Sequence, residues 1–408
     1  LLSRDKKIIR EEFMAHHRFL AILTAAGVAV LSAAAAHAAE PPLEIGVVQP
    51  MTGAAAFVGS SGKQAIELAE KLVNQEGGVN GRPVHFTVLD DQTSPQVAVQ
   101  LTSSLIAKGQ KIVLGSSITA MCNAMAGLAQ NGPVIYCFSP GIHPKPGSFV
   151  FSATVSSEGL VETLVRYFHR RGWKKLALIV TTDGSGQDGE RAFDQVIAKP
   201  DLKDIEVVAR GHFAPADATI GAVIENIHAA QPQAVIAWTT GTTMGTVLKG
   251  MAQAGLDLPV GTTSGNISYP FVEQFASVLP RELYFATNSG TARGEGLKLD
   301  PRVAEAKRKY HALFEQIGVR PDNGAEVVWD ATMIAIDALG HAGPDASAQD
   351  LRTYIAQLKG FAGISGVYDF PAEPQRGLKS NAALVARWNS REKFFEAVTQ
   401  PGGEPIQR

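Results

Sequence analysis

Three short runs carry residue types at spacings that chemistry uses. Gly184-Ser185-Gly186-Gln187-Asp188-Gly189 has the glycine spacing of a dinucleotide cradle, where small residues let a pyrophosphate approach the backbone at a helix start. Arg210 closes the next apolar run, where a cation could meet a 2′-phosphate. Ser60-Ser61-Gly62-Lys63 has the serine–lysine spacing of penicillin-interacting serine enzymes, but the chain contains no Ser-Asp-Asn or Lys-Thr-Gly partner. Asp90-Asp91 ends a strand-like run and suits a turn or a contact between lobes better than a general acid/base couple. The ten histidines are scattered and no His-Glu-x-x-His occurs, so neither a metal nor a cofactor is expected.

These runs are positioned by a regular alternation of elements. Short apolar runs predict strands at 43–48, 83–90, 111–115, 133–138, 149–153, 175–180, 205–209, 234–238, 259–263 and 283–287. Spacing near 3.6 residues predicts a helix after the first strand, through Ala65, Ile66, Leu68, Ala69, Leu72 and Val73. Further helices are expected at 94–108, 120–130, 157–171, 187–198, 219–230, 243–254, 269–278, 301–317, 325–341 and 347–359. Leu176-Ala177-Leu178-Ile179-Val180 and Ala234-Val235-Ile236-Ala237-Trp238 are apolar at every position, the mark of strands buried on both faces of a parallel sheet. Ten such units exceed one comfortable sheet, so two doubly wound α/β lobes are expected. No Pro/Ser linker separates them. The chain is therefore expected to cross more than once, at 153–156, 287–290 and 363–366. That places lobe one at 41–155 plus 289–364, lobe two at 156–288 plus 365–395, and a tail at 396–408. Tyr368-Asp369-Phe370 and Ala383–Trp388 alternate like antiparallel edge strands.

Composition narrows the function classes. With 37 basic against 39 acidic residues and a formal charge of −2, there is no electrostatic footprint for nucleic acid. Apolar residues at 45% exclude wholesale disorder. Met14-Ala15-His16-His17-Arg18, the apolar run from Phe19 to Ala36 and the small-x-small Ala36-His37-Ala38 together read as a cleaved secretory signal over residues 1–38. Leu1 to Phe13 precede the plausible initiator Met14 and suggest an over-extended reading frame. A soluble, exported, periplasmic monomer is expected. Export and the mid-chain position weigh against the dinucleotide oxidoreductase, and the glycines of 184–189 are read as permitting a tight cleft-side turn.

Glu76-Gly77-Gly78-Val79-Asn80-Gly81-Arg82-Pro83-Val84, Val113-Leu114-Gly115-Ser116-Ser117-Ile118-Thr119-Ala120 and Val134-Ile135-Tyr136-Cys137-Phe138-Ser139-Pro140 resemble, in order and spacing, the periplasmic solute-binding proteins of ABC importers, in the branched-chain amino acid binding family. The resemblance covers residues 41–395. It implies a type I periplasmic binding fold, two lobes joined by three crossovers, a ligand gripped between them, and delivery to a membrane permease. A sensor of the same fold, reporting to a membrane receptor, is the alternative.

Beside the resemblance, the cleft can be read residue by residue. Ser116, Ser117 and Thr119 lie at the start of helix 120–130, where free amides and the helix dipole favour a carboxylate. Gly141, Ile142 and His143 resemble the family's second contact loop, and Phe57 offers an aromatic wall. The second lobe presents Asp183, Ser185, Thr240, Thr263 and Ser264 at strand ends. Amino-acid binders of the family place a carboxylate after the strand at 259–263 to meet the ligand ammonium. Here Thr263 and Ser264 stand instead, with no acid until Glu273. An unmatched buried ammonium costs several kcal/mol, order of magnitude. An aromatic or hydrophobic organic acid is therefore expected ahead of an amino acid, unless Asp183 faces the cleft. Cys122 and Cys137 fall at similar heights beside the sheet by helix rise and strand return. They either pair in an oxidising compartment or remain two separate buried thiols.

Overall fold

The computed structural model describes residues 40–407; the expected export signal lies outside them. The first sheet contains β1 (Leu43–Gln49), β2 (Val84–Asp90), β3 (Ile112–Gly115), β4 (Val134–Cys137) and β5 (Val150–Ser152), in the order β2-β1-β3-β4-β5. All its pairings are parallel. Its connecting helices are α1 (Ala56–Gln75), α2 (Pro95–Ala107) and α3 (Thr119–Ala126). Helix α4 (Ser157–Arg170) leads into the second sheet, built from β6 (Lys175–Thr181), β7 (Glu206–Phe213), β8 (Ala234–Trp238), β9 (Val260–Thr263) and β10 (Leu283–Thr287). Between these strands run α5 (Gly184–Ile197), α6 (Gly221–Ala229), α7 (Thr242–Gln253) and the short α8 (Tyr269–Gln274).

Three helices follow: α9 (Pro301–Gln316), α10 (Asn323–Ala342) and α11 (Ala348–Gln357). Helix α10 packs along α1, and α11 packs on α10, so the chain has returned to the first sheet's layers. Fourteen of the twenty residues of α10 are buried, including Glu326 and Asp330. The tail forms a small ribbon, β11 (Lys359–Ala362) against β12 (Val367–Asp369), and then β13 (Leu384–Asn389) and β14 (Phe394–Ala397). Strand β13 joins the second sheet antiparallel to β10, and β14 forms its edge, giving β14-β13-β10-β9-β8-β6-β7.

The strands fall where their apolar runs stand, and β8 and β10 match to the residue. Four helical expectations change; one is α8, expected at 269–278, which ends at Gln274. Helix α3 stops at Ala126 rather than 130, before Gly127. Helix α11 ends at Gln357, and 359 opens a strand instead. The glycine run 184–189 forms the first turns of α5, not a loop. None of its glycines has positive φ; what they supply is closeness. A Cβ on Gly186 would overlap the Thr181 carbonyl, and one on Gly189 would overlap the Trp238 ring. The motif lets a helix lie against β6 and β8, and offers no phosphate loop. Likewise Ser60–Lys63 lies within α1, where Lys63 meets Glu67 at 3.6 Å on the surface.

The segments around 153–154, 288–291 and 364–365 lie side by side. Asn288 Nδ2 donates to Thr154 Oγ1 at 2.9 Å, and Ser289 Oγ to the Ile364 carbonyl at 2.8 Å. Glu326 accepts from the Gly290 and Thr291 amides and the Thr291 hydroxyl, while Asp330 accepts from the Ile364 and Ser365 amides. Tyr368 links Asp330 to the Ala153 carbonyl. Among the described residues, no helix is long and apolar enough to cross a membrane.

Candidate functional site

Carboxyl ends of strands from both sheets face one cavity, as doubly wound folds dictate. It measures about 40 Å³ and is lined from both lobes. From the first lobe it is lined by Val58, Ser117, Ile118, Thr119, Phe138, Ser139 and Pro140, with Asn323 and Val327 from α10. From the second come Ser185, Trp238, Thr239, Thr240, Thr263, Ser264 and Gly265. The lining is alcohol and apolar wall with one side-chain amide, Asn323. None of these residues is Asp, Glu, Lys, Arg or His.

The hydroxyls are held by partners that decide what they can offer. Ser117 Oγ donates to Gln49 Oε1 at 2.9 Å, which leaves its oxygen as an acceptor. The Gly141 amide donates to Ser139 Oγ at 3.3 Å, and Ser139 and Thr119 share a 2.6 Å hydroxyl bond. If Ser139 donates in that pair, the Thr119 proton remains free for the cavity. Helix α3 starts after Ile118, which offers no side-chain cap, so its first-turn amides remain available apart from Ala120 N, which reaches Ser185 Oγ at 3.4 Å. Helix α7 is likewise without a side-chain cap, and its Thr242 amide donates to the Ala54 carbonyl at 3.1 Å. Two helix N-termini thus bring positive dipole ends to a neutral cavity.

Of the residues singled out from the sequence, Ser117, Thr119, Ser185, Thr240, Thr263 and Ser264 line the cavity together. The others are placed elsewhere. Ser116 turns to the far side and donates to Asp91 Oδ2 at 2.7 Å; burial raises the pKa of Asp91 against that bond. Asp183 caps α5, accepting from Gly186 N at 3.1 Å and Thr181 Oγ1 at 2.7 Å, and does not line the cavity. His143 instead meets Asp188 of α5 through Nε2 at 2.6 Å, linking the lobes beside the site. Arg191 holds the same carboxylate. Gly141 sits where a Cβ would press on Asp188 and Thr119; Ile142 is buried among Val48, Met121 and Cys137. Phe57 packs edge-on against Phe271, 6.2 Å between centroids. Cys122 and Cys137 are joined in a disulfide, 6.0 Å between Cα atoms, which ties α3 to β4 behind the site.

Sequence reasoning missed Phe138, Ser139, Trp238, Thr239, Val58, Asn323 and Val327 as cavity residues. Ser139 and Thr239 directly follow apolar runs, a signal that was available. Asn323 carried none beyond the Asp322 cap that starts its helix.

Fold and cavity together define a two-lobed protein with a small cavity at the ends of both sheets. A model of the periplasmic binding protein family matches residues 42–393, and the chain belongs to that family. It is 24% identical over 350 residues to a leucine-, isoleucine-, valine-, threonine- and alanine-binding protein of Pseudomonas aeruginosa, covering 82% of this chain and 87% of that one. With Leu/Ile/Val-binding protein homolog 3 of Brucella melitensis it shares 24% over 205 residues, 49% of this chain and about half (55%) of that relative's length. Among solved structures, an extracellular ligand-binding receptor from Rhodopseudomonas palustris superposes with a TM-score of 0.78 at 19% identity, covering 88% of this chain and all of that one (100%). A solute-binding protein of an R. palustris ABC transporter, in complex with benzoate, gives 0.72 at 19% identity, over 90% and 97%. These structural likenesses establish the type I periplasmic binding fold.

Proposed function

We propose that this chain captures an aromatic or hydrophobic organic acid between its lobes and delivers it, in the periplasm, to the permease of an ABC importer. One observation carries the ligand class: a cavity without a charged side chain, into which the uncapped N-terminus of α3 opens. A carboxylate there is met by amides, the helix dipole and the Thr119 hydroxyl. Phe138, Trp238, Val58 and Val327 provide an apolar wall for the ligand body. An α-ammonium would find no counter-charge, because Asp183 is committed to capping α5. The benzoate complex of the R. palustris neighbour supports this class; the amino-acid binders among the relatives support the amino-acid reading.

Capture is by closure. The lobes turn about the segments by which the chain passes from one to the other, and closure excludes water from the carboxylate. The chain binds without turnover. Calorimetric titration of the mature protein with leucine, phenylalanine, phenylpyruvate and 4-hydroxybenzoate tests the reading. Binding of the acids and not of leucine is expected; tight leucine binding with no response to the acids would end it.

A further inference from the structure

We infer that Asn323 selects ligands by a polar group other than their carboxylate, and that this group is a hydroxyl on the ligand's apolar body. The assignment rests on reading the cavity as an organic-acid site.

Asn323 is the first residue of α10, lines the cavity, and is 3% exposed. Among the described residues nothing uses its side chain as a donor: the amide nitrogen is buried without a partner. It is not the helix cap, because Asp322 already accepts from the Gly324 amide at 3.0 Å. Nor does it join the lobes, since its backbone amide does so by donating to the Ile267 carbonyl at 3.0 Å.

A second asparagine close by shows what a structural amide looks like here. Asn266 Nδ2 donates to the Thr239 carbonyl at 2.7 Å and to Thr262 Oγ1 at 2.8 Å, and its Oδ1 accepts from the Gly241 amide at 2.9 Å. Every part of Asn266 is spent; Asn323 keeps a donor unspent beside Val327, Ser264 and Gly265, the other cavity residues of this region. A buried amide left without a partner is costly, and a cavity that supplies the partner removes that cost. An amide donates and accepts at one place. A hydroxyl does the same, which makes it the matching group.

The probes are benzoate and 4-hydroxybenzoate, which differ by one hydroxyl, titrated into the full mature protein by calorimetry. Wild type is expected to prefer 4-hydroxybenzoate by about tenfold or more, as a site built to bond a hydroxyl does. In Asn323→Leu and Asn323→Ala the ratio of the two affinities should fall to within about twofold, and thermal melts and circular dichroism matching wild type report the intact fold independently of ligand. The assignment is overturned if both variants keep the preference, or if they lose both acids together. Equal binding of the two acids by wild type overturns the Asn323 assignment alone. Binding of leucine and of neither acid by wild type overturns the organic-acid reading, and the assignment with it.

Discussion

At the scale of single residues, the site depends on contacts too close for a methyl group. The Trp238 ring that walls the cavity lies directly on Gly189, where a Cβ has no room. Gly189→Ala should displace Trp238 and weaken ligand binding about tenfold or more, with a stability loss of about 1–3 kcal/mol; titration calorimetry and thermal melts read the two effects. His311 gives a pH dependence. Burial, with Arg293 and Lys307 nearby, lowers its pKa to about 4 against its bond to the Gly290 carbonyl. The unfolded chain, with an ordinary value near 6.5, then binds more protons between about pH 4 and 6.5. Stability from this residue is therefore full above about 6.5 and lost as pH falls toward 4, by roughly 3 kcal/mol. Denaturant melts of His311→Gln should lose that slope; an unchanged slope would remove His311 as its source. Residue types alone placed alcohols at the strand ends but not their direction. Ser116 and Ser117 are neighbours, yet one meets Asp91 and the other the cavity. His143 looked like a ligand group because its partner, Asp188, lies 45 residues away on the opposite lobe.

At the scale of elements, period and glycine placement made most of the fold legible, because parallel strands buried on both faces are apolar at every position. Legibility failed where tertiary pairing decides. Lys359–Ala362 has no strand signature and forms one because β12 lies beside it. The glycines of 184–189 mimic a phosphate loop in sequence, yet they serve helix packing. The disulfide belongs to this scale, since it joins α3, whose N-terminus opens on the cavity, to the strand behind it. Cys122→Ser/Cys137→Ser should lower stability by about 3 kcal/mol on the chain-entropy account of a short loop. The same variant should weaken ligand binding, because the α3 amides lose their fixed position. Unaltered affinity in the double variant would show that β3 and β4 alone hold the loop.

At the scale of the whole molecule, the proposed closure would have to bend the segments that join the lobes while keeping them together. Two buried acids one turn apart on α10 gather the chain at 153, 290–291 and 364–365 around this junction. Burial raises the pKa of both Glu326 and Asp330, against the amide and hydroxyl bonds they accept. Lys307 completes the arrangement by donating to the Ser289 carbonyl at 2.6 Å, with its pKa lowered to about 8 by burial. Glu326→Gln keeps the shape but turns an acceptor into a donor facing the Gly290 or Thr291 amide. That should cost about 1–3 kcal/mol, the usual penalty of an unmatched buried polar group. The loss should not be purely global. Freed of one anchor, residues 289–291 should exchange amide hydrogens faster in the native state than the strands of either sheet. If these crossings act as the hinge, small-angle scattering of the variant should show a broader, more open population without ligand, with compaction restored at saturating 4-hydroxybenzoate. Scattering that matches wild type in both conditions, beside a measurable stability loss, would mean that Glu326 supports the fold and leaves the hinge alone.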